Sequence, residues 1–153
     1  MTIKEKLDQH DLFDQAIIRH GILDNIRDYE IIGLICGQDY EEEIQYVFKG
    51  CIKADFKVIV KPEHYSMDDR LLDPSRQNES DYPLAFIWGV NYAVTYPGLT
   101  LTENTDELIQ LEKTYGNKFY KIFIETNAYE LTLVFHDLDT KVLKRTDKNK
   151  NAL

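Results

Sequence analysis

The sequence predicts an α+β fold in which a mostly antiparallel β-sheet carries two principal packed helices. Three observations lead there. Runs dense in β-branched and aromatic side chains recur along the chain, two stretches space their apolar residues as helices do, and the last two apolar runs flank a two-residue turn. With 153 residues, 43% of them hydrophobic, the chain is long enough for one domain with its own core. A single domain over residues 1–143 is expected, followed by a polar C-terminal tail at 144–153.

From Leu7, the residues Leu12, Phe13, Ala16 and Ile17 recur at helical spacing, Asp8 or Asp11 can cap the start, and Gly21 can supply a left-handed stop. This predicts a first helix of about three turns, with His20 near its C-terminal end facing the helix dipole. "YEIIGLICG", residues 29–37, reads as a strand. In the next run Ile44, Tyr46, Phe48, Ile52, Ala54, Phe56, Val58 and Val60 share one parity, with Gly50 in the missing place. The opposite face carries Lys49, Lys53, Lys57 and Lys61 around Asp55, so a long bent ribbon or two strands divided near Gly50 is expected.

Residues 62–83 combine three prolines with clustered polar side chains and read as a loop with a short helical turn at Met67 to Leu72. His64, Asp68, Asp69, Arg70 and Asp73 are metal-binding or catalytic residue types without zinc, calcium or phosphate-loop spacing. In "AFIWGVNYAVTYPG" the large residues Phe86, Trp88, Val90, Tyr92, Val94 and Tyr96 alternate, as when rings cover one sheet face. Trp88, Tyr92 and Tyr96 are therefore a candidate aromatic pocket. Asn104 and Glu107 form a candidate capping box for a second helix through Leu108, Ile109, Leu111 and Tyr115, stopped at Gly116.

The final strands run from about Lys118 to Thr126 and from Tyr129 to His136. If Asn127 and Ala128 close the turn, Ile124 faces Leu131, Ile122 faces Leu133 and Tyr120 faces Phe135, giving one continuous apolar face. The same register sets Glu125 opposite Glu130, where like charges repel unless solvent, a cation or a shared proton relieves them. Glu125, Asn127, Glu130, His136 and Asp137 are the candidate polar site. His136 lies roughly 20 Å beyond Glu130 along an extended strand, so one compact site needs a bend or another segment. No complete catalytic signature is present, no residue is assigned as catalytic or as a metal ligand, and no cofactor is implied.

Lys and Arg number 18 against 27 Asp and Glu, a formal charge of −9 that repels a phosphate backbone and disfavours general nucleic-acid binding. "DYEEE" supplies a candidate partner-binding patch of Asp39, Glu41, Glu42 and Glu43. No run approaches the roughly 20 apolar residues that cross a bilayer, and "MTIKEKLDQHD" lacks the uninterrupted apolar segment of a signal peptide, so no membrane insertion is expected. Cys36 and Cys51 sit among apolar neighbours and read as buried thiols of a reducing cytoplasm.

At "HGILDNIRDYEI", "AFIWGVNYAVTYPG" and "IETNAYELTLVFHDL" the chain resembles the YxiG-like family of small uncharacterised bacterial proteins, over most of residues 10–138. The matching positions are His20, Gly21, Arg27, Asp28 and Tyr29, then Trp88, Gly89, Tyr96, Pro97 and Gly98, then Glu125, Thr126, Asn127, His136 and Asp137. The resemblance brings no chemistry to these residues. Through its association with toxin and immunity gene neighbourhoods, it implies a cytoplasmic protein that binds and neutralises a toxin. The competing expectation is a small-ligand or divalent-metal-dependent enzyme using the Glu125/Glu130 or His136/Asp137 region.

Overall fold

A computed structural model of the chain describes residues 1–59, 72–73, 87–88 and 92–148, with the backbone alone at 72–73 and 87–88. The elements run α1 (Ile3–Gln9), β1 (Ala16–Ile22), β2 (Tyr29–Cys36), β3 (Tyr40–Lys49), β4 (Lys53–Val58), β5 (Leu72–Asp73), β6 (Ile87–Trp88), β7 (Ala93–Thr102), α2 (Asp106–Tyr115), β8 (Tyr120–Thr126), β9 (Tyr129–Phe135) and β10 (Asp137–Asp147). Eight strands form one sheet in the order β10-β3-β2-β1-β7-β8-β9-β4, and every described pairing is antiparallel. The expected α+β architecture with two helices is present. Most of the 62–83 loop, with His64, Asp68, Asp69 and Arg70, lies outside the described residues, as do Phe86, Gly89 and Val90.

The sheet folds over on itself because its two halves are joined by only two residue pairs, Ala16 with Val94 and Ile17 with Ala93. Ile31, Ile44, Tyr46, Phe48 and Leu138 of one half then pack with Ile122, Ile124, Leu131, Leu133 and Phe135 of the other in one buried cluster. Phe48 meets Phe135 edge to face at 4.9 Å, a favoured aromatic geometry. Two crossings link the halves side by side. Gly50, with φ 59°, turns β3 toward β4, and the His136 amide donates to the Lys49 carbonyl at 2.9 Å as β9 passes into β10. The left-handed conformation suits glycine, and a Cβ there would meet the His136 Cβ at 3.2 Å.

The hairpin has the register expected of it, with Tyr120 opposite Phe135, Ile122 opposite Leu133, Ile124 opposite Leu131 and Glu125 opposite Glu130. The second helix also forms where its apolar spacing placed it. Its cap is Thr105, whose hydroxyl accepts from the Leu108 amide at 3.3 Å, while Asn104 takes φ 57° one position earlier. Gly116 ends it in the left-handed region. Leu108 and Leu111 cover Phe119 and Val134, so α2 packs on the outer face of the β8–β9 half.

The first helix is displaced. It spans Ile3–Gln9, held by a reciprocal Thr2 and Glu5 capping box, and the stretch expected to continue it forms β1. Ala16–Ile22 pairs with β2 from Leu34 to Tyr29, with a bulge between Ile17 and Arg19. Backbone bonds to a strand a dozen residues away outweigh a local helical spacing, and Ile17 and Ile18 are β-branched. Gly21 is an ordinary strand residue opposite Glu30 rather than a helix stop.

Of the polar tail expected at 144–153, residues 149–153 lie outside the described residues and the first four form strand. Lys144, Arg145, Thr146 and Asp147 continue β10 opposite Glu43, Glu42, Glu41 and Tyr40 of β3. Opposite charges facing across the ladder favour the pairing. Cys36 is exposed, contrary to its expected burial, and Cys51 is half-buried; both thiols are free. Among the described residues no helix is long and apolar enough to cross a membrane.

Candidate recognition site

The residues singled out from the sequence lie in four places. Glu125 and Glu130 flank the β8–β9 turn, while His136 and Asp137 sit beyond the other end of β9. The structure does not bring the two pairs together. His136 Nδ1 lies 2.8 Å from the Lys118 carbonyl, and Asp137 accepts from Lys6 Nζ at 3.0 Å. The Asp137 carboxyl is held below its ordinary range: burial raises it, and the Lys6 ammonium and the Leu138 amide outweigh that burial. Among the described residues, no three His, Cys, Asp or Glu side chains are placed to hold a metal ion.

Asn127 belongs to a buried polar knot with Thr95 and Thr126. Its Oδ1 accepts the Val94 amide at 3.0 Å, and its own amide donates to the Val94 carbonyl at 3.1 Å. Thr126 Oγ1 accepts from the Ala128 and Tyr129 amides at 3.1 and 2.8 Å, closing the turn. Thr95, opposite Thr126, donates its hydroxyl to the Leu12 carbonyl. The knot pins the hairpin beside the bulge where β7 shifts register between Thr95 and Gly98.

At this end of β7 it is Thr95, an odd-numbered position, that faces inward. Thr95 is fully buried, whereas Tyr92 and Tyr96 are 49% and 44% exposed. The alternation that grouped them with Trp88 therefore does not mark a core face at this end of the run. The Trp88 side chain lies outside the described residues. In the acidic patch, Arg145 meets Glu42 at 2.8 Å, Lys148 meets Glu41 at 3.4 Å, Lys144 stands opposite Glu43, and the Asp39 carbonyl accepts the Lys148 amide. The carboxylates of "DYEEE" are thus largely matched by cations of β10 and the residue following it.

His20 lies on the inner side of β1, opposite the buried Ile31. Its Nδ1 is 2.6 Å from the Tyr29 hydroxyl, and its ring lies 5.0 Å from Tyr129 and 5.2 Å from Phe56. Burial lowers the His20 pKa and pushes Tyr29 up to about 12. The Tyr29 hydroxyl therefore keeps its proton, and the neutral imidazole tautomer with a bare Nδ1 accepts a hydrogen bond from it. Since the folded state resists His20 protonation, its contribution to stability is complete above the unfolded value of about 6.5 and is lost as pH falls below it. Thermal unfolding between about pH 7.5 and 5.5 is expected to fall less steeply for His20→Phe than for the unaltered chain. Equal slopes would mean that His20 titrates as freely folded as unfolded.

A groove of about 830 Å³ lies between the Lys4–Phe13 segment and β7 at Leu99–Asn104. It follows from the early parting of β1 and β7. Beyond Gln15, whose carbonyl accepts the Thr95 amide at 2.9 Å, Asp14 turns away at φ 58° and the chain leaves the sheet. Leu99 and Leu101 pair with Ile124 and Ile122 of β8, and on their other side, among the described residues, no strand pairs with them, so Leu7 and Leu12 border the groove there. Leu7, Leu12, Leu99 and Leu101 form an apolar lining, and Asp8, Asp11 and Glu103 give it a carboxylate-rich rim with Lys4 and His10. None of these residues carries a sequence signature of binding. Asp8 and Asp11 were legible only as helix caps, and Asp11 does cap locally, accepting the Phe13 amide at 2.9 Å.

Fold and surface together define a small antiparallel α+β domain whose groove between α1 and the end of β7 is acidic at its rim and apolar within. The family model for YxiG-like proteins matches residues 1–149, and the chain belongs to that family of small bacterial proteins. No curated protein matches the chain.

Proposed function

We propose that this chain is a cytoplasmic, non-enzymatic recognition protein whose partner is a basic protein, in the specific case a toxin encoded beside it. The observation that carries this reading is the groove between α1 and β7, where Asp8, Asp11 and Glu103 surround an apolar lining. A protruding segment with an aliphatic side chain beside a lysine or arginine satisfies both parts of such a surface. The formal charge of −9 adds a long-range field that speeds encounter with a basic protein. Asp8 pairs with Lys4 at 2.5 Å and Glu103 with Lys118 at 4.0 Å, as Glu41 and Glu42 pair with Lys148 and Arg145, so the apolar lining beside its carboxylates is what favours this groove over the Asp39–Glu43 patch. The separation of Glu125 and Glu130 from His136 and Asp137 counts against a shared acid–base or metal site.

The test is co-expression with neighbouring secreted or contact-delivered toxins, read by copurification and growth rescue. Binding is expected to weaken with salt, and Asp8→Asn combined with Glu103→Gln to loosen it by roughly tenfold. Glu41→Gln combined with Glu42→Gln is expected to change it little. Neither binding nor rescue by any candidate would count strongly against immunity, and a complex indifferent to Asp8 and Glu103 would move the interface elsewhere.

A further inference from the structure

We infer that β4 is a self-complementary edge through which two copies of the chain pair antiparallel about a two-fold axis at Phe56. The inference is independent of the groove and of the partner proposed for it. β4 ends the sheet order, and among the described residues only β9 pairs with it. All six residues from Lys53 to Val58 are exposed. An open strand edge of this kind is a template for another strand.

The backbone decides which groups face outward. The Ile59 amide donates to the Ala128 carbonyl at 3.0 Å, in phase with the pairs Lys57–Glu130, Asp55–Thr132 and Lys53–Val134. Because antiparallel hydrogen bonding alternates residue by residue, Lys53, Asp55 and Lys57 direct their N–H and C=O groups to β9. Ala54, Phe56 and Val58 direct theirs to the open edge. A second β4 must therefore bond through those three residues.

Charge then selects the register. With Phe56 opposite Phe56 of the second copy, Ala54 pairs with Val58 in both directions, and Asp55 stands opposite Lys57 twice. Moving the pairing two residues one way sets Asp55 against Asp55 and Lys53 against Lys57, and moving it the other way sets Lys57 against Lys57. Like charges directly opposite are unfavourable, so one of the three registers is complementary throughout. The present Lys53–Asp55 pair, at 3.8 Å and solvent-exposed, is weak enough to exchange. Pairing would also cover Phe56, now 49% exposed against His20 and Tyr129.

Analytical ultracentrifugation of the full chain should show a monomer–dimer equilibrium that moves toward dimer as concentration rises. Asp55→Lys and Lys57→Asp should each weaken self-association by roughly 10–100-fold, since two attractive pairs become repulsive. Mixing the two variants should restore a one-to-one heterodimer, because each then presents the charge the other lacks. Hydrogen exchange should show the Ala54, Phe56 and Val58 amides becoming protected as the unaltered chain dimerises. A chain that remains monomeric throughout, a dimer indifferent to both charge reversals, a mixture that fails to associate, or three amides unprotected in the dimer would each overturn the inference. Exchange on the unaltered chain reads the interface even if a variant fails to fold.

Discussion

Leu133→Asp is expected to destabilise the domain by about 4 kcal/mol or more and to lower its melting temperature by roughly 10 °C or more. Leu133 is fully buried, lies opposite Ile122 on one side and Ala54 on the other, and belongs to the cluster joining both halves of the sheet. The substitution removes apolar burial and places a carboxylate where water cannot solvate it. Glu130→Gln, which alters a half-buried side chain between the buried Tyr129 and Leu131, should change stability by less than about 0.5 kcal/mol. Chemical denaturation of both variants checks the contrast. A melting temperature unchanged by the aspartate would mean that Leu133 does not face the core.

Asn127→Ala is expected to cost about 2 kcal/mol, although it deletes only part of one side chain. Asn127 is 4% exposed, and its Oδ1 accepts the Val94 amide. Removing that oxygen leaves a part-buried donor without this acceptor, and the lost bond is one of those tying β7 to the hairpin. Thermal unfolding together with amide exchange at Val94 reads the effect directly. If Asn127 served a ligand instead, alanine would leave both measurements nearly unchanged and would affect binding alone.

The hairpin around these residues was legible because its information is local. Two alternating apolar runs and a two-residue turn admit one register that keeps Ile122, Ile124, Leu131 and Leu133 on the same face. The α2 helix was legible for the same reason, and only its cap moved from Asn104 to Thr105. The candidate sites fared differently. Asn127 looked like a turn residue with functional potential, yet the bond that defines its role goes to Val94, 33 positions away. The groove was not visible at all, since its walls come from the first 13 residues, from Tyr46 and from residues 99–104, and no motif connects them.

By itself the sequence determined an α+β chain with a bend or a break near Gly50, a second helix ending at Gly116 and a C-terminal hairpin in a single register. Each rests on periodicity, turn chemistry or a cap, which act over a few residues. Only the tertiary structure decided that Ala16–Ile22 would be a strand, that Lys144–Asp147 would complete β10, and that Glu42 would meet Arg145 across 103 positions. Those outcomes depend on backbone bonds and charges supplied by distant segments. A local pattern of apolar residues can fit a helix or a strand equally well until a neighbouring strand satisfies its amides and carbonyls, and a run of carboxylates is an open patch only until the chain returns with cations beside it.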